Sequence, residues 1–181
     1  MIIGITGTYC SGKDTAAAYL ISLAYQHTSL SDLIREEATR RCIAHTRKHL
    51  IDIGNELRKT YGAGILAERA LERIQTGNNN VITSIRNPGE VTVLRTQPDF
   101  KLIALDAPLE LRWKWMCERG ARPDNIETIE QFIDFEREEH NIDPTKQQLH
   151  LVQQLADVTI QNNGTLYELH TQLDTAIGRR N

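Results

Sequence analysis

Gly7, Gly12 and Lys13 stand in GITGTYCSGKDT, residues 4 to 15, at the spacing G-x-x-x-x-G-K. Glycines let the backbone curl until successive N–H groups face one concavity. The start of a helix adds partial positive charge there, and a lysine in its first turn bridges the outer phosphates of a polyphosphate. Ser11 falls on the wall of this loop. Asp14 occupies the place where many such loops carry the hydroxyl that reaches magnesium, and Thr15 lies one helical position beyond it. An unshielded carboxylate repels phosphate. Two readings of Asp14 stay open: contact with Mg2+ through the metal's water shell, or an exposed first-turn acid favoured by the helix dipole.

The remaining phosphate-binding groups have to be local. With 21 Lys and Arg against 24 Asp and Glu, the chain carries a formal charge of −3, which creates no global field for nucleic acid or an anionic membrane. Arginine suits the task because its planar guanidinium grips phosphate oxygens in a fork and stays charged at any working pH. Arg86 follows the apolar run VITSI, at the end of a strand where open parallel sheets present ligand-binding groups. His45 and His49 have i, i+4 spacing but sit in HTRKH without a glutamate partner, and metal binding is not expected there. Cys10, Cys42 and Cys117 are odd in number and far apart, so neither a disulfide framework nor a zinc cage is expected.

These groups need a scaffold, and 181 residues with 40% hydrophobic content suit one domain, 1–181. IIGITG reads as a strand buried on both faces, followed by a helix from Lys13 to Ala24. A short strand is placed near Thr28 to Leu30 and a helix from about Ser31. Further helices run from about Thr46 to Tyr61, ending at Gly62, and from about Gly64 to Thr76. After GNNN, VITSI is the next strand and NPGEVTVLR a short helix. FKLIALDA is another strand, and Pro108 opens the helix after it. Helices follow at about Ile126 to Glu139 and Thr145 to Leu155, with an Asp143-Pro144 turn between them. VTIQ is the last strand and TLYELHTQLDTAI an amphipathic closing helix. Alternating strands and helices predict an α/β fold, a mainly parallel five-stranded sheet with helices on both faces in three layers. No stretch approaches the ~20 apolar residues of a membrane span, and Met1 leads straight into a strand-like run, so a cytoplasmic protein without a secretion signal is expected.

At this point the sequence resembles the nucleoside monophosphate kinases and their P-loop relatives, including deoxynucleotide monophosphate kinases and dephospho-coenzyme A kinases. GKDT is similar to the G-K-x-T loops of that family. SLSDLIREE, residues 29 to 37, resembles the segment that opens their monophosphate-binding region. The resemblance implies that Arg35 holds the acceptor phosphate with Asp32 beside it, and that about 31–77 form a helical acceptor-binding insertion. VITSIRN is similar to the strand and D-G-x-P-R turn of these kinases, making Arg86 a phosphate ligand. Thr83 and Ser84 stand where an acid is common there, so no Walker-B aspartate is available; Asp106 ends a different strand. RWKWMCERGARPDNIETI, residues 112 to 129, looks like a shortened lid (about 112–128), with Arg119 and Arg122 closing over the transferring phosphoryl group. Trp115 stands where an arginine often stacks on adenine. Phe132 replaces a usual lid arginine, for which Arg137 is a weak substitute. GNELRKTYG makes Arg58 a candidate acceptor-site residue, and NNGTL, with Asn163, a candidate base-reading loop.

The resemblance implies an ATP- and Mg2+-dependent kinase acting on a small nucleotide or nucleotide-like acceptor, with neither nucleic acid nor membrane as partner. A phosphate acceptor is already anionic and needs no strong general base, which fits the lack of a catalytic His or Asp in the matched segments. A dephospho-coenzyme A kinase would phosphorylate a ribose hydroxyl and should place a carboxylate beside it, Asp32 or Asp14 here. A nucleotide-binding regulatory module that has lost transfer chemistry is the third reading, favoured by the missing acid and Phe132 and opposed by the retained arginines.

Overall fold

The computed structural model describes residues 1–75, 77–119, 126–137 and 139–179. Within them β1 (Ile2–Gly7), β2 (Gln26–Ser29), β3 (Asn80–Thr83), β4 (Phe100–Asp106) and β5 (Val158–Gln161) form one parallel sheet in the order β2-β3-β1-β4-β5. All six residues of β1 are buried, as a central strand covered on both faces requires. From β1 the chain crosses to the edge strand β2, returns to β3 beside β1, and then runs to the other side through β4 and β5. The carboxyl ends of β1, β3 and β4 therefore meet at the reversal point, where such sheets bind ligands.

Two apolar layers sandwich the sheet. On one side α1 (Lys13–Ser22) and α9 (Leu166–Ile177) pack Ala16, Ala17, Leu20, Leu169 and Leu173 against Ile3, Ile5, Val81 and Ile103. The small alanines of α1 let this helix approach the sheet closely, which fixes its N-terminus over the end of β1. On the other side lie α2 (Leu30–Arg40), α3 (Arg47–Tyr61), α4 (Ile65–Leu71), α5 (Pro88–Leu94) and α8 (Leu149–Gln154). They bury Leu33, Leu57, Leu66, Leu94 and Val152 against Ile82 and Leu102, each side chain contributing about 1.5–3 kcal/mol. A third cluster joins Cys10, Met116 of α6 (Leu109–Glu118) and Phe132 of α7 (Ile129–Arg137), with Trp113 and Tyr9 packed around it.

Local chemistry sets the ends of these elements. Thr46 caps α3, its Oγ1 accepting from His49 N at 3.3 Å, and Gly62 ends the helix at φ +106. Asn87 and Glu90 form a capping box around α5, and Thr165 and Glu168 one around α9. Three helices are clearly shorter than the apolar pattern predicts, among them α4, which ends at Leu71 and not near Thr76. α7 starts at Ile129 because the Gln131 side chain takes the N–H groups of Glu127 and Thr128. α8 starts at Leu149, not Thr145, because the preceding carbonyls are already used: Asn87 Nδ2 donates to Pro144 O at 2.7 Å and Lys146 O at 2.8 Å. Gln148 N likewise donates to Arg86 O at 2.8 Å. The segment from 139 to 148 is thus strapped to the turn after β3. No helix among the described residues is long and apolar enough to cross a membrane.

Candidate phosphoryl-transfer site

The loop between β1 and α1 requires its two glycines. Gly7 has φ +141 and a Cβ there would overlap the Leu105 carbonyl; Gly12 has φ +96 and a Cβ would overlap the Asn162 side-chain amide. Both positions combine a left-handed backbone with no room. Between them Ser11 is fully buried, and its Oγ has no hydrogen-bond partner among the described residues. A cradle that only glycine can form, with an orphaned hydroxyl in its wall, fits a bound polyphosphate. Two contacts brace the loop from the neighbouring strands: Thr8 Oγ1 donates to Asp106 Oδ1 at 2.9 Å, and Asn162 Nδ2 donates to Ser11 O at 2.9 Å.

Lys13 folds back onto this loop, its Nζ donating to the Thr8 carbonyl. Burial pushes its pKa down to about 8; the Arg86 charge acts in the same direction, while Glu139 and Asp14 oppose the shift. A phosphate dianion would restore the full ammonium charge. Asp14 is exposed at the start of α1, its Oδ2 3.8 Å from Arg119 Nη1. The described residues hold no cluster of three His, Cys, Asp or Glu side chains. The donor set therefore fits Mg2+ carried on phosphate and water, with Asp14 as an outer contact, and not an all-protein cage.

Two cavities flank the start of α1. The first, about 390 Å3, is lined by Lys13, Asp14, Arg35, Arg47, Arg86 and Arg119, with Ser31, His45, Ser84 and Gln147 around them. The second, about 340 Å3, is lined by Gly12, Thr15, Trp115, Arg119, Asn162 and Leu166 among others. Gly12 and Arg119 belong to both walls. Arg35 is aimed by its own helix, its Nη1 donating to Ser31 Oγ and to Asp32 Oδ1, each at 2.8 Å. Asp32 does not line the cavity and orients Arg35. Arg86 is fixed by its backbone, with its N–H donating to Glu90 Oε2 at 2.8 Å and its carbonyl accepting from Gln148.

The structure thus brings Lys13, Asp14, Arg35, Arg86 and Arg119 to one cavity and Thr15 and Trp115 to its neighbour. Arg122 lies outside the described residues. Three sequence expectations are corrected, the first being a direct ligand role for Asp32, which pairs with Arg35 outside the cavity lining. Arg58 is 3% exposed and its guanidinium donates to buried Glu90, because this stretch of α3 faces the core; it is not an acceptor ligand. Asn163 is exposed, and the residue turned to the second cavity is Asn162. Phe132 is fully buried beside Tyr9 and Trp113, and Arg137 pairs with Asp134 on its own helix. In place of an acid after β3, Ser84 has φ +64 and shares a hydroxyl cluster with Ser29 and Ser31.

Sequence reasoning missed Arg47, Gln147 and the nearby carboxylate of Glu139. Arg47 offered only a basic residue just past a helix cap. Gln147 and Glu139 reach the site through the strapped segment, which has no local signature.

No family model matches the chain. It is 33% identical over 125 residues to the UPF0200 protein of Methanothrix thermoacetophila, covering 68% of this chain and 69% of that one. The UPF0200/UPF0201 protein of Archaeoglobus fulgidus is 31% identical over 170 residues, 91% of this chain and 51% of the relative. The chain therefore spans about half the length of that protein. Among solved structures, shikimate kinase from Bacteroides thetaiotaomicron superposes with a TM-score of 0.63 at 15% identity, covering 98% of each chain. A gluconokinase from Sinorhizobium meliloti superposes with a TM-score of 0.57 at 13% identity, covering 97% of this chain and 90% of that one. At such identities the likeness is one of fold: this is the P-loop kinase architecture.

Proposed function

The chain belongs to the UPF0200 family, and we propose that it is an ATP- and Mg2+-dependent small-molecule kinase that transfers the γ-phosphoryl group to a nucleoside or deoxynucleoside monophosphate. The observation that carries this reading is the pair of cavities meeting at Gly12 and Arg119. A module that only binds a nucleotide needs one cavity; a transferase needs two that share the point of transfer. Mg–ATP supplies the activated phosphoryl group. Its polyphosphate lies in the loop, held by the amides and Lys13, and its base enters the cavity of Trp115 and Asn162. The acceptor enters opposite, where Arg35 and Arg86 grip its phosphate. Arg119, with Arg122, stabilises the charge that spreads over the transferring oxygens. Residues 112–128 act as the lid that excludes water, and 31–77 as the acceptor-binding region.

The cavity chemistry favours a phosphate acceptor over a hydroxyl. Among the described residues Asp14 is the one carboxylate lining the acceptor side, and it sits at the phosphate loop with its pair, Arg119. A hydroxyl acceptor would need a base on the far side of the transferring group. Dephospho-coenzyme A phosphorylation is the second reading, supported by the space beside His45, Leu50 and Ile51 for a larger acceptor. The test is a coupled ADP-release assay over nucleoside monophosphates, their deoxy forms and dephospho-coenzyme A. Turnover with a monophosphate is expected. Turnover confined to dephospho-coenzyme A selects the second reading, and ATP binding with no acceptor-dependent turnover rejects both in favour of a regulatory module.

A further inference from the structure

Glu139 is a carboxylate only 3% exposed, surrounded by Lys13, Arg47 and Arg86. Its Oε1 lies 3.8 Å from Arg86 Nε and 3.9 Å from Arg47 Nη2. It shares a narrow gap behind the acceptor cavity with Lys13, Ser84 and Arg86, and it does not line the cavity itself. Its own backbone is fixed: its N–H donates to Glu136 O and its carbonyl accepts from Leu149 N, both at 3.0 Å. Arg47 is constrained from the other side, its guanidinium carbon 3.2 Å from the centre of the Phe135 ring, a stacked cation–π contact.

A buried acid is tolerated where opposite charges meet it. This one meets two guanidinium groups that arrive from different elements, α3 and the turn after β3, and that both face the acceptor cavity. Without a common anion the two cations would repel each other. Resting on the kinase reading, we propose that Glu139 is a positioning residue that sets Arg47 and Arg86 as a guanidinium clamp for a phosphomonoester, and that Arg47 is a further acceptor ligand beside Arg35 and Arg86.

The proposal predicts a sign. A bare negative charge close to an anion site weakens anion binding, so removing it should tighten binding. A carboxylate that positions two ligands does the reverse. Inorganic phosphate is the probe, titrated calorimetrically into the full chain with the loop saturated by Mg and a non-hydrolysable ATP analogue, or by tripolyphosphate if the nucleotide does not bind. Glu139→Gln is expected to weaken phosphate about tenfold, Glu139→Asp to recover at least threefold of that loss, and Arg47→Met to weaken phosphate about tenfold. Each variant is first checked for a native circular dichroism spectrum. Should Glu139→Gln not fold, Arg47→Met decides alone. Phosphate affinity unchanged within twofold, affinity tightened in Glu139→Gln, or no phosphate binding by the wild type overturns the proposal. The readout is binding and not turnover, so it stands apart from whether any acceptor in the kinase panel is phosphorylated.

Discussion

Arg58 Nε and Nη2 both donate to Glu90 Oε1, at 3.0 and 2.8 Å, while Glu90 Oε2 accepts the backbone N–H groups of Arg86 and Asn87 at 2.8 and 3.0 Å. One buried carboxylate thereby ties α3 to the turn that presents Arg86. Both oxygens of Glu90 are occupied in this buried network, and Arg58 bears on the cavity through the backbone of Arg86 and not by lining it.

Breaking this pair should register as lost stability. Arg58→Ala leaves Glu90 buried without its cation, an imbalance worth about 3–5 kcal/mol. Urea unfolding followed by circular dichroism is expected to show a drop of that order. A variant as stable as the wild type, but with weakened acceptor binding, would return Arg58 to the ligand role.

Lys13 links pH to both binding and stability. Its pKa is about 8 in the folded protein against an ordinary 10.5, so between these values the unfolded chain binds the extra proton. Stability of the ligand-free protein should therefore rise as pH climbs from about 8 to 10.5, and the cost of burying the ammonium is fully present below 8. Lys13→Met removes a penalty of about 1–3 kcal/mol after discounting for partial exposure. The expected result is a variant that melts higher at pH 7 yet no longer binds Mg–ATP. In the wild type, nucleotide affinity should fall as pH rises through 8, with proton uptake on binding seen as a buffer-dependent heat in calorimetry.

Arg86 and Arg35 should separate acceptor from donor. Each loses a charge-assisted phosphate contact on truncation, worth about 1.5–3 kcal/mol. Arg86→Ala and Arg35→Ala are thus expected to raise the acceptor KM roughly ten- to a hundredfold with the ATP KM within threefold of wild type. Equal changes in both constants would dissociate these arginines from the acceptor.

The donor cavity can be read optically. Trp113 is packed in the third core cluster and Trp115 lines the cavity, so a Trp113→Phe protein reports from Trp115 alone. ATP should quench its fluorescence saturably. Asn162→Ala, which removes the brace on Ser11, is expected to weaken that titration by about tenfold, a loss of ~1.4 kcal/mol. A signal insensitive to ATP would remove Trp115 from the base site.

The sequence alone determined the elements whose chemistry is local. The glycines and Lys13 announce the phosphate loop because a left-handed, side-chain-free turn before a helix has few other residue solutions. VTIQ and the closing helix TLYELHTQLDTAI were legible because strand patterning and an amphipathic repeat are written in neighbouring residues. Only the tertiary structure decided which arginines line the cavity. Arg35 and Arg58 both lie on helices of the same region and share one chemistry, yet one faces a cavity and the other a buried acid, a choice made by packing against α5. Likewise Glu139 and Gln147 owe their place to Asn87, more than fifty residues away in the chain, whose side chain holds two carbonyls that would otherwise have extended α8. A hydrogen bond across that separation leaves no periodicity or spacing in the sequence, because its partners are chosen by the folded surface and not by the chain between them.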